Sequence, residues 1–265
     1  MTPNIDATDL SVTVNMAGAP ITVGEMLQLS PSELGMRLLR GMVVSGRSWS
    51  APNIRAHAEA SLLTAIPRRH GSVTRDLSGM IEVIVATIAD GLGWLISNSL
   101  IGPSSAQSGS GDEWIPTQAG REANVLGSTA HVDATRRLHV DLHPRLQGAA
   151  RMNFERGEYA AAVLIAMKEV EISLRTASGL PAGLTGKALA QEALKPGGPL
   201  RIAGETPDEQ TGFLLLFQGA FAAFRNPAGH RAVEYDDPAD AANILHFADE
   251  LLRIIDREKR SRSDN

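Results

Sequence analysis

A mainly α-helical protein built from two modules is predicted by three observations on the 265-residue sequence. Apolar residues recur at three- and four-residue spacing through long segments, above all after Leu142, while alternating apolar and polar stretches are short. Helix punctuation is frequent: Ser30-Pro31 with Glu33, Gly179 with Pro181, Pro207-Asp208-Glu209 and Asp237-Pro238 each mark a start or a stop. A polar stretch near residues 128–141 separates the two modules. With 43% apolar and 21% charged residues the chain has a globular composition, and its length accommodates two modest cores.

Composition also removes chemistry. There is no cysteine, so disulfides, thiolate metal sites, iron–sulfur clusters and a cysteine nucleophile are excluded, which suits a reducing compartment. The segment MTPNIDATDLSVTVN lacks a basic n-region and a continuous apolar run, so no secretory signal is expected and a cytoplasmic location is. A net charge of −5 argues against coating nucleic acid non-specifically, because phosphate affinity comes largely from Lys and Arg. The basic tail, Arg253 to Arg262, reads as a solvated helix end.

Along the chain, residues 1–24 read as an N-terminal arm, with Pro3, Gly18 and Pro20 making the first twenty residues irregular. A smaller, mostly helical module follows over residues 25–127. Its first helix begins at Ser30-Pro31, carries Leu34, Leu38 and Leu39 inward, and is ended by Gly41 and Gly46. Residues 72–101 hold the least polar stretch, IEVIVATIADGLGWLISNSLI, long enough to span a membrane. Asp90 near a bilayer centre would cost about 2.5 to 3.5 kcal/mol, and no basic flank fixes an orientation. A buried core helix is therefore expected, with no membrane partner.

Gly102 to Gly111 is rich in Ser and Gly and reads as a linker or hairpin tip. The helix ending in WLISNSLIGP, the tip, and a strand running into Thr117, Gly120 and Arg121 together resemble a winged-helix module. That resemblance implies binding of nucleic acid or of a regulatory protein partner, or a purely structural role. No Lys/Arg cluster marks a recognition face, which favours the structural reading over DNA contact.

Residues 142–265 form the second module, a helical bundle. A helix over Arg145 to Arg156 is stopped by Gly157, and one from Glu158 to Ala177 carries Val163, Ala166, Met167, Val170 and Leu174 as a core stripe. Residues 181–206 are a Pro/Gly-rich connection holding a short helix, LTGKALAQEAL. A third helix runs from Pro207 through FLLLFQGAFAAF, and a last one after Pro238 turns Ala241, Leu245, Ala248, Leu252 and Ile255 inward.

Between those last two helices lies Phe224-Arg225-Asn226-Pro227-Ala228-Gly229-His230-Arg231. On a continuous helix Arg225 and His230 would point about 140° apart. Pro227 prevents continuation and Gly229 permits a bend that returns His230 toward Arg225. A guanidinium that grips phosphate beside an imidazole that exchanges protons near neutral pH suits phosphodiester cleavage without a metal. The same residues also fit a plain connector in which Asn226 caps, Pro227 starts a turn and His230 bonds the backbone.

The spacing Arg225-Asn226-x3-His230 resembles the R-x4-6-H motif of HEPN domains. The wider segment, from LHPRL through FERGEYAAAVLIAMKEVEISLRTASGL to LLLFQGAFAAFRNPAGHR, is similar to the bacterial Ymh family, a HEPN-related group among phage- and defence-associated proteins. The fold class is thus a HEPN-like bundle preceded by a winged-helix-like module. The resemblance implies a metal-independent endoribonuclease, a toxin or anti-phage effector, with RNA as substrate, no cofactor, and a composite site across a homodimer. It implies Arg225, His230 and Asn226 as catalytic residues, with Glu171 in KEVEISLR as a helper and Lys168, Glu169 and Arg231 as substrate-binding neighbours. Glu171 lies at the border of the core stripe; the alternative is an exposed Glu pairing with Arg175, worth about 0.3 to 0.5 kcal/mol. A non-catalytic module binding RNA, nucleotide or protein is the second reading.

One other cluster, His131, Asp133, His139, Asp141 and His143, has ligand-like spacing for a metal if residues 139–143 form a strand. No strand pattern surrounds it, and residues 128–141 are expected to be a polar connector, with no metal site.

Overall fold

The computed structural model describes residues 11–16, 18–65, 77–104, 113–138, 142–200, 206–225 and 233–263. Its contacts divide the chain into two units, Met1–Val132 and Asp133–Asn265, each with its own core.

The first unit opens where an irregular arm was expected, with a hairpin of β1 (Thr13–Met16) and β2 (Ala19–Thr22) pairing Val14 with Ile21. Val12, Val14 and Ile21 are buried, so apolar alternation outweighs the Gly18 and Pro20 signals. Two short loops then open α1 (Val23–Gln28) and α2 (Pro31–Ser45), each through a capping box: Thr22 with Glu25, and Ser30 with Glu33. Gly41 lies inside α2 and is buried there, and only Gly46 ends it. After β3 (Trp49–Ser50), α3 (Ala51–Ala65) and α4 (Leu77–Ser97) come β4 (Ile101–Pro103) and β5 (Glu113–Pro116). These three strands make an antiparallel sheet in the order β3-β5-β4, flanking the Ser/Gly-rich segment, whose residues 105–112 lie outside the described set.

The apolar helix α4 buries Met80, Ile84, Ile88, Leu92 and Leu95, one helical stripe, and packs against α2. By length and mean hydropathy of 1.6, Gly79–Ser97 would suffice to cross a membrane, and a third of that window is buried in the unit. Thr117 caps α5 (Gln118–Leu126), whose Gly120 is indispensable: a Cβ there would stand 2.0 Å from the Leu100 carbonyl oxygen. Within the expected connector, residues 129–138 form helix α6 (Thr129–Leu138), with Val132 in the first core and Ala134 and Leu138 in the second.

In the second unit, the helix expected over Arg145 to Arg156 is split into a 3-10 turn (Pro144–Leu146) and α7 (Ala149–Glu155). Helix α8 (Tyr159–Ser178) is central, touching α7, α9 (Gly186–Leu194), the last helix α11 (Pro238–Ser263) and the turn that ends α10 (Pro207–Ala220). Its stripe Val163, Ala166, Met167, Val170 and Leu174 is wholly buried. The largest filled positions are Phe154, Phe217 and Phe221, each contributing roughly 1.5–3 kcal/mol by burial. The unit is a helical bundle, as the periodicity predicts.

Two outcomes follow. Gly120→Ala forces the Leu100 backbone to move and should cost the first unit about 1–3 kcal/mol in denaturant unfolding. The Glu33 carboxyl is held below its ordinary 4.5 by the Ser30 backbone N–H and then the Ser30 hydroxyl. Its contribution is therefore present above that value and lost as pH falls through the lower folded value. The stability gap between wild type and Glu33→Gln should close below about pH 4.5 in the same assay.

Candidate functional site

Glu171 is placed by the register of α8. It sits one position past Val170, on the border of the core stripe, and α9 begins over it, leaving the residue 6% exposed. A buried carboxylate needs charge and hydrogen-bond partners, and Glu171 has three. Arg175, one turn on, donates from Nη2 to Oε1 at 2.8 Å and also to the Leu184 carbonyl oxygen at 2.9 Å. The Gly186 N–H, the first of α9, donates to Oε2 at 3.3 Å. Thr185, the cap residue of α9, makes no side-chain cap bond, so the carboxylate stands at that helix N-terminus in its place.

The third partner is Arg225. Helix α10 ends in a π turn, Phe221–Arg225, which holds one extra residue relative to an α turn. Phe221 is fully buried beside Phe217, and Phe224 stacks edge-on against Phe247 at 6.0 Å, so the turn is fixed against the core. Arg225 Nε comes 2.9 Å from Glu171 Oε2. This is a charge contact rather than an aligned hydrogen bond, since the buried Nε–H has no hydrogen-bond acceptor. Among the described residues the Arg225 Nη groups make no hydrogen bond. One carboxylate thus faces two guanidiniums, each about one-fifth exposed.

The structure brings Glu171 and Arg225 together. Asn226, His230 and Arg231 lie outside the described residues. Lys168 is exposed on α8. Glu169 lies about 160° around the helix from Glu171 and pairs with Arg145 at 3.1 Å, so a substrate role beside Arg225 is not supported by its position. Arg175 enters as a member of the cluster; its signal was the i, i+4 pairing with Glu171, taken alone as a weak surface pair. The phenols of Tyr159 and Tyr235 are both raised above 10, by burial first and then by Asp237 and Asp240 respectively. Tyr159 is twelve residues from Glu171, roughly 18 Å along α8, and belongs to the opposite end of the bundle.

The five residues with ligand-like spacing are placed as follows. His143 Nε2 lies 2.9 Å from Asp256 Oδ2, its Nδ1 accepts the Arg145 N–H at 3.2 Å, and its own N–H donates to Asp249. Nε2 ties His143 to α11 while Nδ1 caps the 3-10 turn Pro144–Leu146 that follows it, so both ring nitrogens are engaged. His131 is buried and Asp133 exposed on α6, while His139 and Asp141 lie outside the described residues. Among the described residues no three His, Asp or Glu side chains are grouped to hold a metal. The first unit also carries an open groove of about 930 Å³ lined by Arg37, Arg40, Met36, Val44, Asn124 and Ser128 among others.

Residues 140–255 match the family model described as a protein of unknown function, Hypoth_ymh. Neither the curated proteins nor the solved structures give a match.

Removing the carboxylate strands two guanidiniums and the α9 amide. Glu171→Ala should therefore cost the second unit about 3 kcal/mol in chemical denaturation, more than an ordinary surface pair. A loss under about 0.5 kcal/mol would show that the cluster is solvated and weak.

Proposed function

The C-terminal unit belongs to the Ymh family, and on that premise we propose that it is a HEPN-type, metal-independent endoribonuclease acting as a toxin or anti-phage effector. The observation that carries the reading is the buried Glu171 carboxylate 2.9 Å from Arg225 Nε. A charged partner in the interior fixes the side chain that immediately precedes Asn226 and His230, where the sequence pattern requires a phosphate grip.

In the proposed reaction Arg225 holds the scissile phosphate through its Nη groups. The neighbouring 2′-hydroxyl attacks phosphorus, forming the new O–P bond as the bond to the 5′-oxygen breaks. His230 removes the hydroxyl proton or delivers one to the departing 5′-oxygen, and the opposed His230 of a second copy supplies the complementary transfer. Charge building on the phosphorane-like transition state is offset by Arg225. The products are a 2′,3′-cyclic phosphate and a 5′-hydroxyl. Asn226 orients the phosphate, and Lys168 and Arg231 contribute positive charge along the RNA. The cyclic product needs no activated water, which is why no metal is invoked.

The N-terminal unit is proposed to bind a partner protein or regulate the effector rather than read DNA. Its helix α4 exposes Glu82 and Asp90, and Arg55 is already committed to Glu59 and Glu82.

Labelled RNA incubated with wild type and with His230→Ala in the presence of EDTA tests the reading. Wild type alone should cleave and leave cyclic phosphate ends, with the variant slowed by at least about 100-fold. Cleavage undiminished in the variant, or abolished by EDTA in the wild type, would reject the mechanism; RNA binding without turnover would make the unit a non-catalytic module.

A further inference from the structure

We propose that Arg175 is a positioning residue that keeps Arg225 available to a phosphate, an inference that rests on the phosphodiester reading above. A single buried Glu171–Arg225 pair would be neutral, and its guanidinium would have little attraction left for an incoming anion. Arg175 changes that balance. Two guanidiniums against one carboxylate leave the cluster with one net positive charge, held at low exposure where charge is poorly screened.

The geometry assigns the two arginines different tasks. Arg175 Nη2 takes Glu171 Oε1 and is itself anchored on the Leu184 carbonyl, just ahead of α9. The Gly186 N–H takes Oε2. These two bonds from opposite lobes fix the carboxylate plane, so that Arg225 meets Oε2 through Nε, the inner nitrogen, and its Nη groups are left without a partner among the described residues. Arg175 has its Nη2 turned inward and its Nε buried, so it acts on the substrate only through Glu171. Lysine would restore the charge but not the double contact to Glu171 and Leu184, because it offers a single flexible ammonium.

Charge and alignment are separable in a variant pair assayed as the full chain. Arg175→Gln removes both; Arg175→Lys removes alignment alone. A 2′-deoxy oligonucleotide, which cannot be cleaved by its own 2′-hydroxyl, reads binding, and labelled RNA reads kcat and KM. Arg175→Gln should bind the deoxy oligonucleotide about tenfold more weakly and raise KM similarly, the size expected for a lost charged hydrogen-bond network. Arg175→Lys should return KM toward wild type while kcat stays reduced. Equal deoxy-oligonucleotide affinity for wild type and a folded Arg175→Gln overturns the proposal and leaves the ribonuclease reading intact. Wild type that binds through Arg175 but never cleaves rejects that reading and keeps the proposal, and wild type that neither binds nor cleaves rejects both. Should Arg175→Gln fail to fold, Arg175→Lys decides: unchanged kcat shows that Arg175 positions nothing.

Discussion

A carboxylate that is 6% exposed cannot stand in a protein interior without compensation, and the second unit is arranged around giving Glu171 that compensation. Three different pieces of the chain converge on it: the next turn of α8 through Arg175, the first amide of α9 through Gly186, and the end of the π turn through Arg225. Each is far from the others in sequence or belongs to a different helix. The interaction therefore specifies how α9 and the end of α10 lie on α8, in addition to whatever stability it contributes. An apolar replacement of similar volume would fill the space but leave the α9 amide and two guanidiniums without a common acceptor.

The surrounding bundle makes that convergence possible. The Val163 to Leu174 stripe fixes the rotation of α8, and Glu171 follows from it as the residue at the stripe's edge. Phe221 and Phe224, packed against Phe217 and Phe247, hold the wide turn in place so that Arg225 falls on the inward side. A π turn costs regular hydrogen bonding and is found most often where a side chain must be re-aimed. Here the side chain re-aimed is the arginine that leads into the polar segment 226–230.

Much of this was legible in the sequence, and the failures have definite causes. Helices α8, α10 and α11 were readable because their apolar stripes are long, and the starts of α10 and α11 also carry Pro and acidic residues at favoured positions. The proximity of Glu171 to Arg225 was implied by family resemblance, since nothing in local periodicity joins residues 54 positions apart. The hairpin Thr13–Thr22 was hidden by Gly18 and Pro20, which read as breakers but sit at or beside the turn of two four-residue strands. Helix α6 was hidden because it is short and polar, and its few inward residues, Val132, Ala134 and Leu138, show too few repeats to establish a period. The π turn has no propensity signature; packing of Phe221 and Phe224 creates it. Arg175 was undervalued for the same reason: an i, i+4 pair is weak on a surface, and only the burial of Glu171 beneath α9 makes it strong.

Under the proposed reading, the charge pattern of this chain limits the kind of recognition open to it. With a net charge of −5 it has no general field to gather polyanions. Inside the helical bundle, one carboxylate meets two arginines. On that reading, such a cluster would draw an anion by geometry over a few ångströms rather than by long-range steering, and would discriminate by whether the anion can reach the Nη groups. Under the ribonuclease reading, selectivity would then lie in how RNA presents one phosphate to the cleft between copies. Control of the proposed effector would lie in whatever governs that access, and the exposed Glu82 and Asp90 of α4 would then favour protein contact over DNA contact.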